Sequence, residues 1–172
     1  MTKYKTSTQM RSNAVLAIDP GFDRIGLAVM KFGKDKPELL FSECVETDSK
    51  EERSKRLLFI GKRVRSVIKK WQPKSLAVET LFFNTNTTSA IGVAEARGII
   101  IYEAMRAKMG VYEYGPQSVK VAVTGYGKAD KIQMATMVKK LVNLPAKLSK
   151  RLDDEMDAIA LGITHLATKK GI

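Results

Sequence analysis

The stretch VLAIDPGFDRIGLAVM, residues 15–30, contains two apolar runs that are joined by a glycine turn. The first run, residues 15–18, is continuously apolar, which is typical of a strand buried on both faces of a sheet. It ends on one acid, Asp19, and after the turn at Gly21 a second strand is predicted over residues 25–32. A charge at the end of a buried strand is costly unless another group compensates it. The stretch therefore predicts that Asp19 faces a compensating group from elsewhere in the chain.

The rest of the sequence alternates between strand and helix patterns. A third strand, predicted over residues 38–46, completes an antiparallel meander of three short strands. Apolar residues then recur at helical spacing over residues 49–71. The other predicted elements are strands at residues 75–78 and 110–114 and helices at residues 87–108, 117–123, 130–141 and 152–168. This order predicts a mixed α/β sheet with helices on its faces.

The composition of the 172-residue chain fits one compact domain that binds a polyanion. Hydrophobic residues make up 44% of the chain, and we expect a single domain over residues 14–170 after a flexible basic tail at residues 1–13. Lysine and arginine number 30 against 18 acids, which gives a formal net charge of +12. Such a balance points to nucleic acid, although a basic surface that serves only solubility is the open alternative.

Cysteine content and hydropathy indicate the compartment. Cys44 is the single cysteine, so no internal disulfide can form and a reducing compartment is expected. We expect Cys44 itself to be a packed residue of the third strand. No apolar run reaches the length of a membrane span, and the polar N-terminal residues lack the apolar core of a secretory signal. The sequence therefore predicts a cytoplasmic protein without membrane contact.

The last predicted helix carries four acids near its start. Residues at alternating steps of four and three form its apolar core seam: Leu152, Met156, Ile159, Ile163 and Leu166. Asp154 and Asp157 are three residues apart, which places both carboxylates on one face within roughly 5–6 Å. Asp153 and Glu155 point away from that pair and are expected in solvent. The alternative, that all four acids are helix-start charges favoured by the helix dipole, leaves Asp157 unexplained because it lies beside apolar residues.

These helix acids are candidate partners for Asp19. The strand at residues 75–78 also leads into an acid, Glu79, so two strand ends and the Asp154/Asp157 pair supply four carboxylates. Adjacent carboxylates stay ionised together only when a cation lies between them, and an all-oxygen set selects magnesium or manganese. Two such ions can activate a water and stabilise the leaving oxygen of a phosphodiester. The only histidine, His165, lies roughly 16 Å along the helix from Asp154, so we leave it out of the site as a helix C-terminal residue.

Six segments of the chain resemble one known family. They are AIDPG (17–21), AVET (77–80), EARG (95–98), YGPQSVKVAVTGYGKADK (114–131), LPAK (144–147) and DEMDAIALGITH (154–165). In this order they are similar to the RuvC Holliday-junction resolvases of the RNase H-like superfamily. The resemblance implies an RNase H-like fold, in which a mixed five-stranded sheet has three antiparallel strands first, then parallel strands, and helices on both faces. It also implies a homodimer that resolves four-way DNA junctions by paired symmetric nicks in recombination and repair, with a branch-migration helicase complex as partner.

The resemblance also assigns roles to individual residues. The family's catalytic, metal-binding acids match Asp19, Glu79, Asp154 and Asp157, and magnesium is the implied cofactor, with two ions per site and manganese as a substitute. Phe82 matches an aromatic residue that stacks on bases of the opened junction. Lys120 and Lys131 match basic positions beside the scissile phosphate.

The same residues have other interpretations when they are considered without the resemblance. Aromatic residues in a polar loop suit base stacking, but Phe82 and Phe83 could instead form a hydrophobic plug under the following helix. Lys128, like Lys120 and Lys131, flanks glycine-containing backbone that can approach a phosphate, yet these could be solvated surface lysines. The alternative functions are an RNase H-like nuclease that acts on structured RNA and a catalytically silent junction-binding protein.

Small residues mark one face of the helix predicted at residues 87–108. Ala90, Ala94 and Gly98 recur at four-residue spacing and leave a smooth surface for close helix packing. That surface could pack on the chain's own sheet. The resembled family places its dimer contact on this helix, which favours dimerisation.

Overall fold

The computed structural model describes residues 13–81, 87–144 and 152–170, which form a five-stranded sheet covered by helices on both faces. The strands are β1 Val15–Asp19, β2 Arg24–Phe32, β3 Pro37–Glu46, β4 Ser75–Glu79 and β5 Gly110–Tyr114. The helices are α1 Arg53–Trp71, α2 Thr87–Arg106, α3 Pro116–Thr124, α4 Lys131–Leu141 and α5 Leu152–Lys170. Residues 1–12 of the predicted tail lie outside the described residues, so the tail stays a prediction.

The sheet has the predicted mixed topology, in the order β3-β2-β1-β4-β5. β2 pairs antiparallel with both β1 and β3, whereas β4 pairs parallel with both β1 and β5. Leu16 and Ile18 of the central strand pack into the core under α1 and α2, while Val15 and Ala17 pack into the core under α3, α4 and α5. The prediction of a strand buried on both faces is therefore confirmed.

Several helix ends differ by one to four residues from the predicted ends, and two of these differences have a clear cause. The Asp48 side chain accepts a hydrogen bond from Lys50 N at 2.9 Å. This turn gives the backbone N–H of Lys50 a partner outside a helix, and α1 begins only at Arg53. α2 ends at Arg106 rather than at residue 108, because Lys108 adopts a left-handed φ of 59° that a right-handed helix cannot include.

α5 packs its predicted seam against the sheet. Met156, Ile159, Ile163 and Leu166 are all buried, as expected, whereas the side chain of Leu152 lies outside the described residues. No helix in the described part of the chain is both long and apolar enough to cross a membrane.

The sequence indicated His165 only as a helix C-terminal residue. In the structure its side chain is buried, with an exposed fraction of 3%, and contacts two strands. Its Nε2 lies 2.9 Å from Ser75 Oγ and its Nδ1 lies 2.9 Å from Tyr114 Oη. Burial, and then the charge of Lys169, lower the pKa of the imidazole to about 4. A neutral His165 therefore ties α5 to the start of β4 and the end of β5.

Candidate functional site

The four predicted acids meet at one edge of the sheet. β1 and β4 run parallel, so Asp19 and Glu79, the last residues of these strands, lie at the same edge. The beginning of α5 brings Asp154 and Asp157 to that edge. The charges of Glu79, Asp154 and Asp157 all act on Asp19. The structure thus brings the four carboxylates into one cluster, which we call the acidic site: Asp19, Glu79, Asp154 and Asp157.

A glycine in β2 allows α5 to reach the acidic site. Gly26 is the strand partner of Asp19, and a Cβ atom on Gly26 would lie 1.9 Å from the backbone oxygen of Asp154. A side chain there would collide with backbone, which cannot rotate away. The absence of a side chain at Gly26 therefore lets the start of α5 lie directly on the strand next to Asp19.

Burial and mutual repulsion raise the pKa values of three of these acids. Burial is the main cause for Asp19, followed by the repelling charges of Asp157, Glu79 and Asp154, and together they raise its pKa to about 7. Burial and then the charge of Asp157 raise the pKa of Glu79. Asp157 is open to solvent on one side, yet the surrounding protein still desolvates its carboxylate and raises its pKa. A cation placed among the acids would relieve this repulsion.

A cleft of about 290 Å³ opens beside the acidic site. Glu79 and Asp157 line this cleft together with Lys120 of α3 and Lys131 of α4. The positive charge of Lys131 opposes the rise in the pKa of both Asp19 and Asp157, so this lysine is close enough to act on the acids. The structure therefore places two of the predicted DNA contacts next to the carboxylates.

The other predicted DNA contacts lie elsewhere. Lys128 is exposed on the loop between α3 and α4, outside the set of residues that line the cleft. Phe82 and Phe83 lie outside the described residues. Their roles in binding therefore stay predictions.

The carboxylate of Asp154 contacts one side chain from β2 and one from β3. Arg24 Nε lies 3.3 Å from Asp154 Oδ2, and Cys44 Sγ donates to the same oxygen at 3.6 Å. Cys44 is half-buried on β3, and burial, followed by the charge of Asp154, raises the pKa of its thiol to about 11. Cys44 is therefore a neutral donor to the acidic site as well as the strand residue that the sequence predicted.

The two remaining acids of α5 differ from each other in exposure. Asp153 is exposed, as predicted, and lies 3.6 Å from Lys131 Nζ. Glu155 was expected in solvent, but this prediction is wrong, because Glu155 is half-buried and accepts a hydrogen bond from Ser42 Oγ at 2.9 Å. Because Ser42 lies on β3, Glu155 connects α5 to the third strand of the sheet.

The donor chemistry of the acidic site fits a hard divalent cation. Carboxylate oxygens without imidazole or thiolate are the ligands that such ions prefer, and the imidazole of His165 is committed to its own hydrogen bonds. Within residues 13–81, 87–144 and 152–170, no three His, Cys, Asp or Glu side chains already converge on one metal position. The carboxylates of the acidic site are the groups that would hold such an ion.

One contact near the acidic site that sequence reasoning missed holds the loop between β1 and β2, which follows Asp19. Arg56 of α1 has an exposed fraction of 8%, donates to Thr47 Oγ1 and pairs with Asp23. Its guanidinium also donates to the backbone oxygen of Phe22 at 3.3 Å and lies 3.9 Å from the centroid of the Phe22 ring. The sequence contains one indication of this contact. Arg56 lies four residues before Ile60, on the buried face of α1, where a charged side chain needs a partner.

Sequence relatives match nearly the whole chain. The family model described as crossover junction endodeoxyribonuclease RuvC matches residues 15–165. A relative of that name from Alkaliphilus metalliredigens (strain QYMF) is 39% identical over 151 residues, which cover 88% of this chain and 91% of the relative. Another, from Desulfitobacterium hafniense (strain DSM 10664 / DCB-2), is 41% identical over 156 residues, which cover 88% of this chain and 90% of the relative.

Solved structures are similar as well. Thermus thermophilus RuvC matches with a TM-score of 0.81 at 35% identity, and the same protein in complex with a Holliday junction substrate matches with a TM-score of 0.85 at 34% identity. Each match covers 92% of this chain and 96% of the solved chain. The yeast mitochondrial Holliday junction resolvase Ydc2, at 14% identity and a TM-score of 0.68 over 92% of this chain and 80% of its own, shares the fold. From the family model and these relatives, we conclude that the chain belongs to the RuvC family of crossover junction endodeoxyribonucleases.

Proposed function

We propose that the chain is a metal-dependent endodeoxyribonuclease that resolves four-way (Holliday) junctions by paired symmetric nicks, in homologous recombination and DNA repair. The observation that carries this proposal is the acidic site, in which four carboxylates from β1, β4 and α5 repel one another beside a cleft that three lysines line. Membership of a family of crossover junction endodeoxyribonucleases supports the proposal, and so does the formal net charge of +12, which suits a polyanionic substrate.

Magnesium is the proposed cofactor, with two ions per site and manganese as a substitute. When bound, these ions supply an activated water and stabilise the leaving oxygen of the phosphodiester. The four residues of the acidic site would hold them. The backbone of Asp19 and Glu79 is held by strand pairing, and Glu79 and Asp157 both face the cleft through which the phosphate would enter.

The proposed contacts with DNA surround this site. Lys120 and Lys131 are the proposed contacts for the phosphates of the cleaved strand, because both line the cleft that Glu79 and Asp157 also line. Lys128, exposed on the neighbouring loop, is the proposed contact for flanking backbone. Phe82 follows Glu79 by three residues, and we propose that it stacks on a base of the opened junction, at about 1–3 kcal/mol per base.

A homodimer is part of the proposal because two symmetric nicks require two sites. α2 exposes Ile91, Tyr102 and Met105 on one face, with exposed fractions of 55%, 62% and 58%. Gly98 lies between them, with no heavy atom within 4 Å of a Cβ built on it, so another helix could approach closely. This exposed apolar face is the proposed contact with the second subunit, and a branch-migration helicase complex is the proposed protein partner.

The decisive experiment compares a synthetic four-way junction, a linear duplex and an RNA–DNA hybrid, each with Mg²⁺ and then with EDTA. We expect paired nicks in the junction only, with Mg²⁺ only. Asp19→Asn should bind the junction as the parent does but should not nick it, because a metal ligand is lost while the basic surface remains. Cleavage of the hybrid alone would favour the RNA nuclease, and binding without any nick would favour the silent junction-binding protein.

A further inference from the structure

We propose that Arg97 is a positioning residue that fixes the orientation of Glu79 in the acidic site. This inference rests on the proposed function, because it assigns Arg97 to the machinery that presents a metal ligand. Arg97 lies on α2, and its side chain, with an exposed fraction of 18%, reaches under the end of β4.

Arg97 makes two different contacts with its planar guanidinium. Its Nε donates to the backbone oxygen of Glu79 at 3.0 Å. Its Nη2 pairs with the carboxylate of Glu113 on β5. One side chain thus links α2, the last residue of β4 and the neighbouring strand.

The bond to Glu79 lies where the sheet no longer holds the strand on one side. The pairing of β4 with β1 runs from Val15–Ser75 to Ile18–Val78 and ends before Glu79. On the other side, Thr80 N still donates to Tyr114 O at 2.9 Å. Arg97 therefore supplies a bond to the Glu79 peptide at the end of the β1–β4 ladder, and the direction of the Glu79 side chain depends on that peptide.

The role of Arg97 is geometric rather than one of charge. Glu113 neutralises the guanidinium, and the pKa of Glu79 responds to burial and to Asp157. Lysine cannot replace this arrangement, because a single ammonium lacks the planar fork that serves a carbonyl and a carboxylate together. Groups that orient a metal ligand from behind typically change metal affinity 10–100-fold when they are removed.

The test uses the full chain with Arg97→Met, Arg97→Lys and Glu113→Gln, and measures the affinity for Mn²⁺ without DNA by calorimetry. In parallel, the Mg²⁺ concentration for half-maximal junction cleavage is measured, together with junction binding in EDTA. Both Arg97 variants should weaken Mn²⁺ binding and raise the Mg²⁺ requirement by about tenfold, and Glu113→Gln by about threefold. Junction binding in EDTA should stay within about twofold, because the basic surface is intact.

Arg63→Met is the matched control, since it also removes an arginine–glutamate pair: Arg63 Nε donates to Glu43 at 2.8 Å, between α1 and β3. This control should leave Mn²⁺ affinity unchanged. Parent-like Mn²⁺ affinity in the Arg97 variants, or an equal loss in Arg63→Met, would overturn the inference. If Arg97→Met does not fold, Arg97→Lys and the half-exposed Glu113→Gln carry the test. A parent that binds Mn²⁺ but cuts no junction would overturn the proposed function alone, and the Mn²⁺ affinities would still decide the role of Arg97.

Discussion

Replacement of Gly26 by alanine should separate the ability to fold and bind DNA from the ability to cut it. A Cβ atom at this position would lie 1.9 Å from the backbone oxygen of Asp154, 2.5 Å from its carbonyl carbon and 3.3 Å from Ala158 Cβ. Real Cβ contacts do not occur below 3.0 Å, so the start of α5 must move by at least about 1 Å. The obstacle is backbone on a packed helix, so no side-chain rotation can absorb the change.

The magnitude follows from that displacement. Overpacking of a core typically costs about 1–3 kcal/mol, and alanine in a strand recovers about 0.5–1 kcal/mol relative to glycine. A net loss of about 1–2 kcal/mol in the free energy of unfolding is therefore expected for Gly26→Ala. A misplacement of about 1 Å at a catalytic group costs about 100-fold in rate, so cleavage should fall by that factor while junction binding in EDTA remains.

Gly162→Ala, on the helix α5 that Gly26 contacts, is the matched control. Its Cβ would lie 2.5 Å from Met30 Sδ, which is a flexible side chain that can change rotamer, and 3.4 Å from Ala17 Cβ. This variant should cleave within about threefold of the parent, because the backbone of Asp154 and Asp157 does not have to move. The measurements are urea unfolding, single-turnover junction cleavage and junction binding. If Gly26→Ala cuts as fast as Gly162→Ala, close approach at Gly26 does not position the acids and the reasoning fails.

Three further predictions concern protons and stacking. The pKa of Asp19 is raised to about 7, so protons compete with the metal for this carboxylate below neutral pH. The Mg²⁺ concentration required for cleavage should therefore rise by up to about tenfold per pH unit as the pH falls below 7. A required Mg²⁺ concentration that stays constant from pH 8 to pH 6 would contradict this prediction. The pKa of His165 is depressed to about 4, so its contribution to stability is present above the unfolded value of 6.5 and is lost as pH falls toward 4. Unfolding experiments at pH 7 and pH 5 should show a loss of about 1–2 kcal/mol from this group, and His165→Gln should reduce that loss. Phe82→Ala should slow junction cleavage and leave Mn²⁺ affinity unchanged; an unchanged cleavage rate would remove the stacking role.

Local sequence patterns predicted the elements of the fold because those patterns are themselves local. The continuous apolar run at residues 15–18 indicated a central strand, and the seam from Met156 to Leu166 indicated the buried face of α5. The start of α1 was less predictable, because residues 49–52 are all polar and carry no apolar spacing that marks a boundary, while the Asp48 turn holds the backbone in another conformation. Short polar side chains that compete for backbone hydrogen bonds shift a helix boundary without changing its periodicity.

The sequence predicted which four acids form the acidic site, but it did not predict which residues surround them. Asp19, Glu79 and Asp157 stand out because each is a charge beside apolar residues. Asp154 stands out because it lies three residues before Asp157, and the resemblance points to the same four acids. Their neighbours come from contacts that are distant in sequence. Cys44 reaches Asp154 across 110 residues, and no spacing in the sequence encodes that approach. The contacts of Arg56 could not be predicted for a related reason, because its partners are side-chain and backbone atoms of two separate loops.

The mixed sheet is what makes this collection of acids possible. The parallel pairing of β1 with β4 brings two strand ends, Asp19 and Glu79, to one edge, where an antiparallel neighbour would place its own end at the opposite edge. The antiparallel pairing of β1 with β2 then presents Gly26 beside Asp19, so a helix can approach the edge at its closest point. In this sheet the parallel pairing supplies the second carboxylate, and the antiparallel pairing supplies the opening for α5. The site therefore depends on the order of the first four strands as much as on the acids themselves.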